Sequence, residues 1–309
     1  MTEPGAPAQA PPPPSMVRRR TFAWGTRTFV MGIINITPDS FSGDGVLAEA
    51  VSAGGPSTGA ASPIERAVAR ARQMVADGAD ILDVGGESTR PGHQLVPAEE
   101  ESRRVVPVIA AIRAALPEVP ISVDTTKAPV AEAALAAGAD LINDVWGVGA
   151  DDALVRLAAD GGVPLVVMHN RDVPRYRDLM SDVVDDLRAA LDRALRLGVR
   201  WDDLIVDPGF GFGKTPDHNL ELLRDLGSLR ALGRPILLGT SRKSTLGRVL
   251  DLGPDQRLEA TLATTALGIA AGADIVRVHD VRENVRAARI ADAIIRANWR
   301  SQPAEGGPS

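Results

Sequence analysis

Three stretches of the chain repeat one another. DGADILDVGGE (77–87), AGADLINDVWG (137–147) and AGADIVRVHDV (271–281) each run from Gly-Ala-Asp into a short β-branched or leucine-rich segment. Between them stand EVPISVDTT (118–126), GVPLVVMHN (162–170) and GRPILLGTS (233–241), each a proline followed by an apolar run. With the opening run at 29–36 and DDLIVDPGF (202–210), the chain carries eight short, almost continuously apolar strands. Strands of this kind are expected where both faces of a parallel sheet are covered. Apolar residues spaced by three and four predict helices over 64–76, 98–115, 128–137, 152–159, 179–197, 219–226, 257–271 and 283–299. Eight strand-helix units over ~280 residues predict an α/β fold, a single-domain (β/α)8 TIM barrel. An open doubly wound sheet would want a Gly-rich dinucleotide turn after its first strand, and none is present.

The barrel is predicted over 21–300 of the 309 residues. The Pro/Ala-rich residues 1–20 (MTEPGAPAQAPPPPSMVRRR) are expected to be a disordered tail, and 301–309 a flexible C-terminus. Arg18–Arg20 suggest a twin-arginine signal, but no apolar segment follows them. No run of ~18 apolar residues appears, so no membrane span is expected. A net charge of −6 and a pI near 5.3 argue against nucleic acid as a partner. The chain has no cysteine, which excludes disulfides, thiolate zinc sites and cysteine nucleophiles, and makes the cytoplasm the default expectation. Lysine is rare: Lys127, Lys214 and Lys243 are the only three among 34 basic residues. Where such an arginine-rich chain uses lysine, a compact ammonium can be what the position needs.

In a barrel of this kind, chemistry sits at the C-terminal ends of the strands, and side chains alternate inward and outward. Asp83, Asn143, Arg277 and His279 share one parity class with Ile81, Leu141 and Ile275. Other strand ends supply Asn35, Asp124, Met168, Asp207 and Lys243. Buried polar groups are costly without partners, so a ring of them at one end of a barrel reads as a ligand site. Several familiar chemistries fail on spacing. DPGFGFGKT (207–215) has Pro208 where a phosphate-binding P-loop needs its first glycine. The four histidines form no His-x-x-x-His pair, and no Gly-x-Ser-x-Gly elbow exists. His169 and His218 read as structural or surface residues. GTSRKSTLG (239–247) ends a strand and opens a short helix, where free N–H groups attract anions. Arg90, Arg277 and His279 could together hold a polyanion such as a diphosphate. Asp124, Asn143 and Asp207 suit a planar ligand rich in N–H donors. The mouth is thus expected to hold a polar heterocycle deep inside and a diphosphate at the rim.

In combination, NITPDSFS (35–42), DVGGESTRPG (83–92), SVDTTK (122–127), INDVWG (142–147), DPGFGFGK (207–214), TSRKS (240–244) and RVHDV (277–281) resemble the dihydropteroate synthases, over about 29–299. The resemblance implies condensation of (7,8-dihydropterin-6-yl)methyl diphosphate with 4-aminobenzoate, release of diphosphate, Mg²⁺ as cofactor, a homodimer and a sulfonamide target. Carried onto this sequence, it implies that Asp124, Asn143, Met168, Asp207, Phe212 and Lys243 form the pterin pocket. Asn35 would touch Mg²⁺ and the diphosphate, which Arg277 and His279 would hold. Thr89, Arg90 and Pro91 would lie in a mobile loop, and Ser244 would meet the aminobenzoate carboxylate. Asp39 would stabilise the developing cation or the metal, and Phe41 would wall the benzoate ring and exclude water. The Ala/Gly/Ser-rich stretch 46–63 is longer than the usual connection of that family, which bears on the pose of the Asp39–Phe41 loop. A pterin-binding methyltransferase shares the acidic pocket but has no diphosphate to expel. A catalytically silent pterin-binding relative is the non-enzyme alternative.

Overall fold

The computed structural model describes residues 11–36, 61–87, 95–146 and 152–297. It opens with an antiparallel hairpin, β1 (Ser15–Val17) and β2 (Arg20–Phe22). The eight parallel strands are β3 (Phe29–Asn35), β4 (Ile81–Gly85), β5 (Ile121–Asp124), β6 (Leu141–Asp144), β7 (Leu165–Met168), β8 (Leu204–Asp207), β9 (Leu237–Leu238) and β10 (Ile275–Val278). Their order is β8-β7-β6-β5-β4-β3-β10-β9, and a parallel bridge from Val206 to Ile236 joins the two ends. The barrel expected from the alternation is therefore present, each strand at its expected place. Around it, among the described residues, run α1 (Pro63–Ala76), α2 (Ala98–Ala115), α3 (Ala128–Ala136), α4 (Ala153–Gly161), α5 (Leu179–Arg196), α6 (Pro216–Arg224), α7 (Ser244–Leu250), α8 (Leu258–Ala270) and α9 (Val281–Ile295). Local signals set their starts. Ser62 and Glu65 form a capping box ahead of α1, and Thr215 caps α6 with His218 reciprocating. His218 is thus a capping residue, in line with its structural reading.

The Gly-Ala-Asp repeat has a structural cause. Gly78, Gly138 and Gly272 leave their helices at φ of 101°, 112° and 108°, a region that glycine enters at no steric cost. The following alanines are buried. Each aspartate then accepts a backbone N–H from the neighbouring strand or its approach: Asp80 from Val30 at 2.9 Å, Asp140 from Ile121 at 2.9 Å and Asp274 from Ile236 at 3.1 Å. Arg27 also binds Asp80, and Arg113 binds Asp140. The repeat therefore stitches strands together at the N-terminal face, the opposite end from the expected site.

The interior is layered. Phe29, Met31, Ile81, Leu141, Val166, Ile205, Leu237 and Ile275 form one buried cluster together with Val17, Phe22 and Trp24 from the N-terminal segment. Phe22 lies 5.5 Å from Trp24 and 4.8 Å from Phe29, ring centre to ring centre. This corrects the expectation of a tail reaching to residue 20. Residues 15–24 belong to the folded barrel, because Val17, Phe22 and Trp24 close its floor and remove apolar surface from water. Trp24 Nε1 donates to Ser15 Oγ, which donates to the Asp202 carbonyl, so the buried polar groups of the plug are paired.

Candidate active site

Above that apolar floor the same inward-facing positions turn polar. Strand register sets Asn35 beside Gly85, Gly85 beside Asp124 and Asp124 beside Asn143, one continuous row across four strands. Asp207 stands beside Met168 on β8 and β7. Gly85 leaves room for its neighbour, since a Cβ there would sit a tight 3.3 Å from that of Asp124. The parity read from the sequence holds: Asp83, Asn143 and Arg277 converge.

Arg277 is the hub. Its Nε donates to Asp83 Oδ2 at 2.6 Å and its second terminal nitrogen to Asp124 Oδ2 at 2.5 Å. Asn143 Nδ2 donates to the same Asp83 oxygen at 3.3 Å. Burial opposes the charge on Arg277, but Asp83 and Asp124 outweigh it and hold its pKa above the ordinary arginine value. Burial pushes the Asp124 carboxyl up, Arg277 pulls it down, and Asp83 pushes it up further; the net direction is upward. Oδ1 of Asp83, Oδ1 of Asp124 and Ser122 Oγ are buried without a hydrogen-bond partner. Such atoms are ready acceptors for a donor-rich ligand.

Asp207 closes the other side. Its Oδ1 accepts from the Gly209 N–H at 2.7 Å, and burial raises its pKa to about 6 against that bond and against Lys243. Lys243 Nζ lies 4.0 Å from the centre of the Phe212 ring. The strand-end segment 239–244 is held from behind. Arg242 adopts φ 56°, its guanidinium binds both oxygens of Asp280 at 3.0 and 2.6 Å, and its backbone N–H donates to Thr261 Oγ1. This inverted residue immediately precedes Lys243 and Ser244. Ser241 Oγ pairs with His279 Nδ1 at 3.0 Å, tying the same segment to the end of β10. Ser244 is exposed in the first turn of α7. Asn35 is half-exposed at the end of β3.

Of the residues singled out in the sequence, Asn35, Asp124, Asn143, Met168, Asp207, Phe212, Lys243, Ser244, Arg277 and His279 all lie at or just beyond the C-terminal strand ends. Asp39, Phe41, Thr89, Arg90 and Pro91 lie outside the described residues. Sequence reasoning grouped Asp83 with this ring but gave it no role; its contact with Arg277 crosses 194 positions of sequence. All three lysines follow C-terminal strand ends. Lys127 sits between Glu87 and Glu101, and Lys214 sits against His169. Among the described residues, no group of three His, Cys, Asp or Glu could hold a metal ion.

Residues 31–279 match the family described as pterin binding enzyme. A dihydropteroate synthase of Clostridium beijerinckii is 49% identical over 278 residues, 90% of this chain and 98% of that protein. Its counterpart in Bacillus subtilis is 48% identical over 269 residues, covering 87% and 89%. Among solved structures, the Clostridium difficile dihydropteroate synthase in the presence of pteroic acid superposes with a TM-score of 0.82 at 48% identity, over 89% of this chain and 99% of that one. The Xanthomonas albilineans enzyme with 4-aminobenzoic acid gives 0.82 at 39% identity, over 94% and 100%. The same enzyme in complex with 7,8-dihydropteroate gives 0.79 at 37% identity, over 94% and 100%. With this likeness running the length of the barrel, the chain belongs to the pterin-binding enzymes, among the dihydropteroate synthases.

Proposed function

We infer that this chain condenses (7,8-dihydropterin-6-yl)methyl diphosphate with 4-aminobenzoate, giving 7,8-dihydropteroate and diphosphate. The observation that carries the reading is the meeting of Asp124, Asn143, Asp207, Lys243 and Arg277 at one end of the barrel. A pterin edge presents adjacent N–H donors, and Asp207 and Asp124 offer carboxylate oxygens to accept them. Asn143 adds an amide that can donate or accept. Lys243 would reach the ring carbonyl and N5, with Met168 and Phe212 as walls.

The reaction breaks a C–O bond at a methylene attached to an electron-rich ring. Positive charge then spreads into that ring while negative charge gathers on the departing diphosphate. Catalysis requires stabilising both charges and excluding water, not a nucleophilic side chain. Asp207 and Asp124 lower the energy of the cationic ring. Arg277 and His279 would hold the diphosphate, with Asn35 near it and Ser244 near the aminobenzoate carboxylate. The aniline nitrogen attacks in its neutral form, so no strong base is needed.

Mg²⁺ fits this donor set as an ion arriving with the diphosphate. Mg²⁺ keeps several waters and is bound largely through substrate phosphates, so Asn35 would supply one oxygen beside those of the diphosphate. When bound, it would neutralise charge on the leaving diphosphate. A homodimer is also proposed. Leu267 on α8, with Ile290 and Ile294 on the adjoining α9, are 61%, 65% and 74% exposed, an apolar face that a second copy would cover. No helix among the described residues is long and apolar enough to cross a membrane, and we propose a cytoplasmic location.

The direct test supplies both substrates to the purified chain. Equal amounts of 7,8-dihydropteroate and diphosphate are expected. Pterin binding without diphosphate release would favour a methyl-transferring or silent relative instead.

A further inference from the structure

Lys214 has no role in the pterin reading. It ends the glycine-rich turn 209–214. Its Nζ lies 2.8 Å from His169 Nδ1, 3.1 Å from the Gly209 carbonyl and 3.1 Å from the Phe212 carbonyl. An ammonium has three donors and no acceptor, so three N–H groups meet three acceptors. The match requires His169 to present a lone pair at Nδ1 and carry its proton on Nε2, where Asp186 accepts it at 3.1 Å. Burial, then the charge of Lys214, pushes the His169 pKa down, which keeps that ring neutral.

The turn has little room elsewhere. Gly209 and Gly213 sit at φ 69° and 53°, and a Cβ on either would run into the backbone of His169 or Arg171. The Gly211 N–H donates to Asn219 Oδ1, and the Tyr176 hydroxyl donates to the Gly213 carbonyl, each at 2.7 Å. Toward the mouth the turn presents Phe212, beside Lys243, and the Gly209 N–H that holds Asp207.

We propose that Lys214 is a positioning residue whose ammonium clamps this turn from within, fixing Phe212 and Asp207 at the spacing a pterin ring requires. The proposal rests on the pterin reading of the mouth. Arginine cannot substitute, because a planar fork of five donors does not converge on three acceptors around one point. Methionine keeps the length and leaves those acceptors unpaired. The charged and titratable groups facing Lys214 are His169 and Arg171 beyond β7, Asp186 on α5 and Asp207 on β8. Burial lowers the Lys214 pKa to about 7, with Asp207 pulling the other way. Raising the pH through that value removes one of the three N–H donors, a loss opposed by the gain from ionising Asp207 and Asp124.

The absence of cysteine makes a clean test available. Lys214→Cys supplies a single thiol, and alkylating the unfolded variant with 2-bromoethylamine rebuilds an ammonium at nearly the same reach. The readouts are calorimetric affinity for 6-hydroxymethyl-7,8-dihydropterin, KM for 4-aminobenzoate and the urea midpoint, with refolded wild type alongside. Lys214→Met and Lys214→Arg are each expected to lose about tenfold or more in pterin affinity. KM for 4-aminobenzoate should stay within about twofold. The aminoethylated variant should recover pterin affinity. The proposal is overturned if the arginine variant binds pterin as wild type does, or if both substrates weaken together with the urea midpoint and alkylation restores nothing. A wild type that binds no pterin would remove the functional reading itself; normal wild-type binding with an indifferent Lys214 would remove only this inference.

Discussion

Replacing Asp83 with asparagine isolates the charge at the centre of the site. The side chain is fully buried. Its Oδ2 receives Arg277 Nε at 2.6 Å and Asn143 Nδ2 at 3.3 Å, while Oδ1 has no hydrogen-bond partner. An amide can therefore keep its oxygen toward Arg277 and turn its NH₂ to the unpaired side, so shape and bond count survive and only the charge is lost. Breaking a buried ion pair costs about 3–5 kcal/mol, but Arg277 retains Asp124, and a neutral bond to a charged donor keeps part of the interaction. The expected loss is about 2 kcal/mol, at the lower end of these effects. Urea unfolding at neutral pH measures it better than heating, since ~2 kcal/mol moves the melting point of a domain this large by only a few degrees. A second effect follows. Asp83 is one of the charges that raise the Asp124 carboxyl, so its removal lowers that pKa and extends pterin binding toward acid. Stability within about 0.5 kcal/mol of wild type, with an unmoved pH dependence, would show that Asp83 does not set the state of Arg277 and Asp124.

Other outcomes follow from the same structure. Lys243→Arg should cost at least about tenfold in kcat/KM despite keeping its charge, because a wide fork cannot occupy the place of a point-like ammonium beside Phe212; near-wild-type turnover would refute this. Asp207, with its pKa raised to about 6, is ionised only above that value, so pterin affinity should fall as pH drops through it. The Asp207→Asn protein, measured by calorimetry, should lose most of the affinity at every pH. Phe22→Ala should destabilise the fold by about 3–5 kcal/mol yet leave both KM values unchanged, since the plug lies at the far end of the barrel; altered substrate affinity would contradict that separation.

The barrel was legible because its strands are short, apolar and regularly punctuated, and because the repeated Gly-Ala-Asp does one job at one face. The inward parity of Asp83, Asn143 and Arg277 followed from counting by two from that aspartate. The plug was not legible. Two three-residue strands are too short for periodicity to show, and the prolines and arginines around Val17 and Phe22 masked the apolar pair. The roles of Asp83 and Lys214 were hidden for a different reason. Each depends on a partner brought close only by the closed barrel, Arg277 for one and His169 for the other. The rarity of lysine pointed to Lys214 without saying what it would touch.

A crystal structure of this chain with 7,8-dihydropteroate bound tests the central claim most directly. The donor edge of the pterin should lie within about 2.7–3.2 Å of carboxylate oxygens of both Asp207 and Asp124, with Lys243 at the ring carbonyl. A pterin lying elsewhere on the barrel, or turned so that its carbonyl edge faces Asp207, would contradict it.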